Sequence, residues 1–420
     1  MLINWFSPLP PLKSDIARYS CVVLAELQER CNVTVWTSQA DIDSSSLSGL
    51  RVCRYDADNI PWGELNRADC TVFNLGNNPA FHGDIWHVAR RHPGIVILHD
   101  LALHHFFDGM YRVHAQRLHY YVDVMRRHYG EVAAIAAEEN FKAEGANNNE
   151  LATKYPLTEH ALENALGVLV HNADGAQQLR RSLGLPVAYA PLPFGPHSGV
   201  QTRRLAGEKS RRCRLIVFGH LSSNRRIDRV LHALCEMPER DLFALDIYGS
   251  NAGLGFDIEA ECSRRGLSNV SFHGFVSEEE LEGALDSADL AINLRYPTMG
   301  EASGSQLRIW AHALPSIVTP VGWYASLPTG SVLYARPGQA EVDDLQSHLR
   351  SYLINPEPFW KIGEIGRDEL WARHSPKECA EAVLELASRS NSGLRRLFTS
   401  RLQRNVWSLL DHWLSPSQQD

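Results

Sequence analysis

The sequence lacks an excess of basic residues, a long apolar run and any close pair of cysteines. Its 49 Asp and Glu outnumber its 41 Lys and Arg, giving a net charge of -8 at pH 7. This balance argues against a nucleic-acid binder, because a surface that follows phosphates needs an excess of positive charge. No apolar run approaches the roughly 20 residues of a membrane span, and the first residues lack the charged-then-apolar order of a signal peptide. We therefore expect a cytoplasmic protein, with peripheral contact at the inner face of the membrane as an open alternative.

The eight cysteines stand singly, and no two have the CxxC spacing of a zinc ribbon or a redox pair. Most lie beside apolar residues, so we interpret them as small core side chains. The remaining composition, with 44% hydrophobic and 21% charged residues, is that of an ordinary globular protein. Disorder and collagen-like repeats are thereby excluded.

Short apolar, β-branched runs alternate with longer helical patterns along the whole chain. Runs such as GIVILHD and RLIVFGH are almost continuously apolar, as strands covered on both faces must be. The helical segments between them supply the crossovers that parallel strands need. The predicted strands are Leu2–Phe6, Asn32–Thr37, Arg51–Tyr55, Cys70–Gly76, Gly94–Asp100, Gly167–Asn172, Val187–Leu192, Leu215–Gly219, Leu242–Gly249, Val270–Phe275, Leu290–Arg295, Ser316–Pro320 and Ser331–Ala335.

Two groups of such runs predict an α/β chain with two Rossmann-like, doubly wound parallel-sheet domains that face each other across a cleft. The Pro- and Gly-rich stretch PLPFGPHSG, followed by the charged TRRLAGEKSRR, places the boundary near residues 190–212. We expect an N-terminal domain over 1–190, a C-terminal domain over 191–388 and a basic amphipathic helical extension over 389–420. The extension fits a membrane surface, a subunit contact or, as we prefer, packing within the protein.

In this architecture ligands bind beyond the carboxyl ends of the strands. The first strand of the second half continues as FGHLSSNRRIDRVLHAL, where a glycine turn and Asn224 lead to a helix start marked by Arg225 and Arg226. A helix N-terminus favours phosphate, and an arginine can bind two phosphate oxygens at once. A solvated helix start is the alternative interpretation.

A later segment, LAINLRYPTMGEASGSQLRIW, joins a strand, a loop and a helix. Glu301 in the loop offers a carboxylate that can accept hydrogen bonds from sugar hydroxyls. Gly304 and Ser305 lead into the helix, where a glycine lets a ligand approach the backbone closely. Upstream, Ser277 and Glu280 form a capping box, which is purely structural.

The order of these motifs, FG…RRID…YG…FHGFVSEEEL…ADLAINLRYPTMGEASG…LPSIVT, resembles the C-terminal domain of the retaining family 4 glycosyltransferases with the GT-B fold. The resemblance implies that His220 and Arg225, where the family has arginine and lysine, bind the donor diphosphate. It also implies that Glu301 contacts the transferred sugar. The family's second glutamate, which holds the ribose, is matched by Arg308, so this contact differs here. Asn224, Gly304 and Ser305 complete the predicted donor side.

The first half resembles the acceptor-side domain of the same family. Lys13 stands in the loop after the first strand and offers a charge to phosphate, although an exposed loop lysine is an equally good interpretation. The run GIVILHD ends in His99, at the position where a family histidine touches the transferred sugar, and we expect it to donate to a hydroxyl or to developing charge. Asn77, Asn78 and Asp100 follow two strand ends, and we assign them to the acceptor side.

An aromatic and basic segment follows His99 and carries five histidines. Adjacent histidines point apart on a helix, whereas metal ligands must converge, so we predict no metal site. We interpret the segment as an acceptor-binding or membrane-facing surface, with a partner-facing helix as an equal alternative. The DxD strings at 41–43 and 56–58, which hold a metal in other glycosyltransferases, lie far from the donor motifs and are interpreted as surface loops. The five histidines are His104, His105, His114, His119 and His128.

The resemblance implies a retaining enzyme that moves a sugar from a nucleoside diphosphate sugar to a hydroxyl of a glycan or lipid-linked acceptor, in polysaccharide or cell-envelope glycan synthesis. Arg225 stabilises the leaving diphosphate, while Glu301 and His99 orient the sugar. No cofactor and no obligatory metal are implied beyond the nucleotide-sugar co-substrate. Two alternatives stay open: an epimerase or phosphorylase on the same fold, and a non-catalytic sugar-binding or scaffolding paralogue, which the altered His220 and Arg308 positions motivate.

Overall fold

The structure is a computed structural model that describes residues 1–112, 117–142, 149–195, 212–251 and 253–390. His114, most of the predicted linker and the predicted extension from residue 391 onward lie outside the described residues. The chain divides into two compact units. Unit 1 holds the described parts of Met1–Ala146, Tyr155–Ala190 and Lys377–Asp420, and unit 2 those of Asn147–Lys154 and Pro191–Pro376.

Unit 1 is built on a seven-stranded sheet in which every neighbouring pair is parallel. The strand order is β3-β2-β1-β4-β5-β6-β7, with the chain order reversing between β1 and β4. The strands β4 and β5 are buried along their whole length, as strands covered on both faces are. The bounds are β1 (Leu2–Phe6), β2 (Asn32–Thr37), β3 (Arg51–Arg54), β4 (Cys70–Leu75), β5 (Gly94–Leu98), β6 (Ala165–Val170) and β7 (Val187–Tyr189).

Unit 2 repeats this plan with a six-stranded parallel sheet. Its order is β10-β9-β8-β11-β12-β13, and the reversal falls between β8 and β11. The first strand of the unit thus lies in the middle of the sheet, as in a doubly wound fold. The bounds are β8 (Cys213–Phe218), β9 (Phe243–Tyr248), β10 (Val270–Gly274), β11 (Leu290–Asn293), β12 (Ser316–Val318) and β13 (Leu333–Tyr334).

Both sheets confirm the predicted fold class of two Rossmann-like, parallel-sheet domains. Each of the thirteen predicted runs overlaps one strand, and the ends differ by at most three residues, as at β7, which ends at Tyr189 rather than Leu192. The predicted ends extend too far where apolar residues continue into the following loop. Apolar residues indicate burial, and buried residues can continue beyond the last strand hydrogen bond.

Helices connect the strands of each unit. In α1 the side chain of Ser14 accepts a hydrogen bond from Ile16 N at 3.2 Å, and the side chains of Tyr19, Val23 and Leu27 are buried. The capping box of Ser277 and Glu280 starts α12, as predicted. The bounds are α1 (Asp15–Gln28), α2 (Trp62–Leu65), α3 (Pro79–Ala89), α4 (His104–Arg112), α5 (Leu118–Tyr129), α6 (Glu131–Lys142), α7 (Asn149–Lys154), α8 (Thr158–Ala161), α9 (Ala173–Ser182), α10 (Ile227–Glu236), α11 (Ile258–Arg265), α12 (Glu278–Ser287), α13 (Gly304–Ala311), α14 (Ala340–Ile354) and α15 (Glu357–Arg373).

The two units differ from the predicted domains at two places. The chain enters unit 2 between Ala190 and Pro191, close to the predicted boundary, but residues 377–390 return to unit 1 and α7 lies in unit 2. Cys379, for example, is fully buried and its Sγ lies 3.5 Å from the hydroxyl of Tyr19. Such packing joins residues several hundred positions apart, so local composition carries no sign of it.

All eight cysteines are free, and four of them are buried: Cys70, Cys213, Cys262 and Cys379. The interpretation as core side chains therefore holds for these four, while the other four are half-buried. Among the described helices, none combines the length and the hydropathy that crossing a bilayer requires.

Candidate functional site

The reversal of strand order in unit 2 brings the loops after β8 and β11 side by side. The backbone N–H of Tyr296 donates to the carbonyl of Asn224 at 2.7 Å, and the Asn224 amide donates to the carbonyl of Pro297 at 3.4 Å. Neighbouring strands whose crossovers lead to opposite sides leave a crevice at this point, and doubly wound sheets bind their ligands there. The two loops carry Arg225 and Glu301, the two residues on which the predicted donor site depends.

The Arg225 side chain is buried against the start of α13, which is a different helix from the one that follows Arg225 in sequence. Only 5% of its surface is exposed, and its guanidinium donates to the Asn293 side-chain oxygen and, at 3.3 Å, to the hydroxyl of Ser305. Ser305 is the second residue of α13, and Ser303 caps this helix by accepting from Gln306 N at 3.1 Å. The first N–H groups of a helix have no intrahelical acceptor and form its positive end. A guanidinium and a helix N-terminus thus converge, an arrangement that an anion such as phosphate stabilises.

The helix that Arg225 contacts is not the one that the sequence predicts. Arg225 was expected at the start of the helix that follows it, but it ends a 3-10 turn, and α10 begins only at Ile227. Between them Arg226 adopts a left-handed conformation with φ 58°, and its guanidinium forms an ion pair of 2.7 Å with the fully buried Glu341. The sharp turn at Arg226 therefore separates the two arginines. Arg226 is bound by a carboxylate, and Arg225 meets α13.

Gly219 makes room for the Arg225 guanidinium, and Gly249 makes room for the backbone of Gly219. Gly219 follows β8 with φ +116°, and a Cβ added there meets Arg225 Nη2 at 2.6 Å. Gly249 follows β9 with φ +130°, and a Cβ there meets the carbonyl oxygen of Gly219 at 1.8 Å. The positive φ disfavours other residues at both positions, and at Gly249 the contact with backbone also leaves no space for a side chain.

A buried polar chain holds Arg225 in place. Asn293, which accepts from Arg225, donates from its amide to Gln306 Oε1 at 3.0 Å, and Gln306 donates to the hydroxyl of Ser316 at 2.8 Å. All of these side chains are buried, where a fully bonded network fixes one geometry. Asn293 is not among the predicted site residues, although a polar residue at the end of the buried strand LAIN is a usable signal.

Glu301 is bound by its own loop. Its Oε2 accepts from Met299 N at 2.7 Å and from the Thr298 hydroxyl at 3.0 Å, while Oε1 lies 3.2 Å from Arg295 Nε. The Arg295 and Glu301 side chains are 16% and 13% exposed. A carboxylate has about four acceptor positions, so these contacts orient Glu301 and leave capacity for one more hydroxyl.

Arg308, predicted on the donor side, is bound by acidic residues of α12. Its guanidinium donates to Glu282 Oε1 and to Glu278 Oε2, both at 2.6 Å, and only 9% of its side chain is exposed. His312, one turn later, lies 2.6 Å from Glu282 and 2.7 Å from Asp286. These contacts place Arg308 in the packing of α13 against α12, where two carboxylates already neutralise its charge. Glu282 and Glu278 lie 26 and 30 residues before Arg308 in the sequence, so the order of the motifs could not reveal these ion pairs.

The other predicted donor residues lie in different surroundings. Asn224 braces the two loops, His220 is exposed and accepts from Arg225 Nε through its carbonyl at 3.4 Å, and Gly304 is the first residue of α13. Lys13 is exposed in the loop between β1 and α1 of unit 1. A contact that sequence analysis did not predict comes from α7, where the Asn149 amide donates to Ser223 Oγ at 3.2 Å.

His99 of unit 1 is half-buried at the end of β5. The Asn74 amide donates to the carbonyl of Phe6 at 3.1 Å, so its oxygen faces His99 and accepts from His99 Nε2 at 3.1 Å. Burial, with His171 and His82 nearby, lowers the pKa of His99 well below its usual value. A neutral His99 that donates from Nε2 presents Nδ1 as an acceptor. In this tautomer His99 offers a ligand an acceptor nitrogen, whereas the sequence predicts a donor.

The three predicted acceptor-side residues hold turns in unit 1. Asn78 caps α3 by accepting from Ala80 N at 3.0 Å, and Asn77 accepts from Phe106 N of α4 at 2.9 Å. Asp100 accepts from the backbone N–H of Asn77 at 2.8 Å. These contacts explain the residue types by turn chemistry.

The buried histidines of unit 1 and His312 of unit 2 give stability with opposite pH dependence, although His374 of unit 2 also has a pKa lowered by burial. Burial lowers the pKa of both His82 and His104 in unit 1 to about 4. In unit 2, burial disfavours a charged His312, but hydrogen bonds with Glu282 and Asp286 outweigh it and raise its pKa. A lowered folded-state pKa gives stability that is present above pH 6.5 and lost towards pH 4. A raised folded-state pKa gives stability that is present below pH 6.5 and is lost as the pH rises through that folded-state pKa.

We therefore expect acid to unfold unit 1 before unit 2. At pH 5, His82 and His104 each cost unit 1 about 2 kcal/mol relative to pH 7.5. Urea unfolding at both pH values, with pulse proteolysis and mass spectrometry to assign fragments, measures the two midpoints separately. In a His82→Gln, His104→Gln variant the midpoint of unit 1 should depend less on pH. An unchanged midpoint for unit 1 between pH 7.5 and 5 contradicts this prediction.

No protein-family model and no curated protein sequence matches this chain, but solved structures match its fold. Sucrose-phosphate synthase from Thermosynechococcus elongatus is 16% identical with a TM-score of 0.58, and the match covers 95% of this chain and 100% of that one. HepE from Anabaena, solved with UDP-glucose, is 13% identical with a TM-score of 0.57, covering 94% and 100%. WaaG, a glycosyltransferase involved in lipopolysaccharide biosynthesis, is 15% identical with a TM-score of 0.57, covering 91% and 99%. At such identities the likeness shows architecture alone, and this chain shares the GT-B fold of these proteins.

Proposed function

We propose that this protein is a glycosyltransferase that takes its sugar from a nucleoside diphosphate sugar. The observation that carries the proposal is the buried guanidinium of Arg225 at the first turn of α13, beside Gly219 and at the reversal of the unit 2 sheet. A doubly charged diphosphate suits this convergence of a planar cation with a helix N-terminus. The UDP-glucose in the HepE structure supports the same class of donor.

In the proposed reaction the bond between the sugar and the diphosphate opens towards an oxocarbenium-like state. Negative charge then grows on the leaving diphosphate, and Arg225 with the N–H groups of α13 stabilises it. Glu301, already oriented by Met299 and Thr298, accepts a hydrogen bond from a sugar hydroxyl. Because protein groups supply the positive charge, we propose that transfer proceeds without added Mg²⁺ or Mn²⁺.

The acceptor is proposed to be a hydroxyl of a glycan or a lipid-linked glycan, whose oxygen bonds to the sugar with retention of configuration while its proton passes to the leaving diphosphate. WaaG, which acts in lipopolysaccharide biosynthesis, supports a role in cell-envelope glycan synthesis. In unit 1 we propose that Nδ1 of the neutral His99 accepts from a substrate hydroxyl. Asn77, Asn78 and Asp100 contribute by fixing the loop after β4 rather than by direct contact.

A donor screen tests the proposal. Thermal unfolding is measured with UDP-, GDP-, ADP- and dTDP-sugars, and at a donor concentration of about 100 times Kd we expect a stabilisation of about 2.7 kcal/mol. The stabilising donor is then incubated with glycan acceptors, and the product linkage is determined by NMR. Isomerised sugar without a new linkage favours an epimerase. The absence of any shift with every donor favours a non-catalytic paralogue and contradicts the proposal.

A further inference from the structure

Three side chains of unit 1 direct their ligand atoms towards one point, outside the site described above. They are His128 in the last turn of α5, His160 in α8 and Glu163 just after α8. Glu163 Oε1 lies 2.9 Å from His160 Nδ1 and 3.3 Å from His128 Nε2, and the three atoms lie within 4.8 Å of one another. We propose that His128, His160 and Glu163 form a binding site for a divalent transition-metal ion of the zinc class.

The donor set suits zinc. Two imidazole nitrogens and one carboxylate oxygen are a known zinc ligand set that leaves the fourth position to water. Tetrahedral ligands at about 2.0–2.1 Å from the ion lie about 3.3 Å apart. Two of the three ligand separations, 2.9 and 3.3 Å, are therefore close to the coordinated geometry. The third separation, between the ligand nitrogens of His128 and His160, is at most 4.8 Å. Rotation of the His128 side chain, near the end of α5, shortens it.

The surroundings orient one ligand and admit the ion. The hydroxyl of buried Tyr111 lies 3.3 Å from His160 Nε2, the nitrogen that does not face the cluster. Such an outer contact fixes the tautomer of a metal-ligating histidine. Glu163 is 38% and His128 17% exposed, and a surface recess lined by Arg90, Glu163 and Asn164 opens beside them. The ion therefore has a path from solvent.

Arg127 competes with the ion for Glu163. Arg127 Nη1 lies 3.5 Å from Glu163 Oε1, but its side chain is 61% exposed. An exposed ion pair of this kind is weak, so a divalent ion displaces it. The bound ion then ties the end of α5 to the connection between α8 and β6. Its role is to hold these helices on unit 1, separate from the proposed transfer chemistry on Arg225.

Zinc titration of the full-length, chelator-treated protein tests the proposal. By calorimetry we expect one zinc ion to bind this site per chain, and at about 100 times Kd a rise in Tm of about 5 °C. His128→Ala and Glu163→Gln each weaken this binding about 100-fold or more and abolish the rise. Both side chains are partly exposed, so the variants should fold, and their Tm without zinc verifies this.

The matched control is His119→Ala, an exposed histidine on the same helix, for which we expect wild-type zinc binding. Substitution by Co²⁺ supplies a second readout, because its visible spectrum distinguishes nitrogen and oxygen ligands from thiolate. No saturable zinc binding, unchanged affinity in both ligand variants, or a thiolate charge-transfer band each overturns the proposal.

Discussion

Replacing Arg225 with alanine is expected to lower kcat for sugar transfer by about 10²–10³-fold, the usual cost of removing one electrostatic contact to developing charge. The guanidinium lies at the first turn of α13 through Ser305, where a leaving diphosphate is proposed to accumulate negative charge. Affinity for the free nucleoside diphosphate should fall as well. The measurement is steady-state transfer with the donor found in the screen, together with calorimetry of the nucleotide.

Arg225→Lys separates charge from shape. Lysine keeps the positive charge but cannot bind two phosphate oxygens in one plane, so we expect an intermediate rate. Because Arg225 is buried, the Tm of each variant must be compared with that of the wild type before rates are interpreted.

Arg308→Ala is the matched control, since it removes another buried arginine of unit 2. It leaves Glu278 and Glu282 of α12 without their guanidinium partner, so we expect a stability loss of about 2 kcal/mol. Transfer by the folded fraction should remain within a few-fold of wild type. Full activity of Arg225→Ala, or an equal rate loss in a well-folded Arg308→Ala, contradicts the donor assignment.

Replacing Glu301 with glutamine is expected to lower kcat by about 10²-fold, with a smaller change in nucleotide affinity. The carboxylate is proposed to contact the sugar rather than the diphosphate, so its loss acts on the transferring group. Its orientation by Met299 N, the Thr298 hydroxyl and Arg295 keeps the acceptor lone pairs in place before the donor arrives. Such preorganisation is where electrostatic catalysis gains its advantage.

Thr298→Val separates the sugar contact from the loop contact. Valine has nearly the shape of threonine but removes the hydroxyl that donates to Glu301 at 3.0 Å. If Glu301 acts on the sugar, Thr298→Val should cost less than 10-fold in kcat, far less than Glu301→Gln. Equal losses in the two variants indicate that Glu301 only shapes its loop, and they refute its role as a sugar ligand.

The predicted site residues separate into two groups once their contacts are known. One group lies on the two loops at the strand reversal and on the helix that begins there: Arg225, Ser305, Asn224 and Gly304. Asn77, Asn78 and Asp100 hold turns, and Arg308 pairs with α12. Residue type alone could not separate these groups, because an asparagine after a strand suits a turn as well as a ligand.

The sequence by itself determined the strands, the crossovers and the helix caps of this protein. These depend on neighbours within a few residues: continuous apolarity marks the buried strands, and Ser277 with Glu280 or Ser14 with Ile16 satisfies a helix start locally.

Only the tertiary structure decided which charged residues meet. Arg225 reaches Asn293 across 68 residues, Arg308 reaches Glu278 across 30, and His128 reaches Glu163 across 35. The physical reason is that the effect of a charged side chain depends on the groups that pack against it. That partner is chosen by the folding of distant segments onto one sheet, which no local pattern encodes.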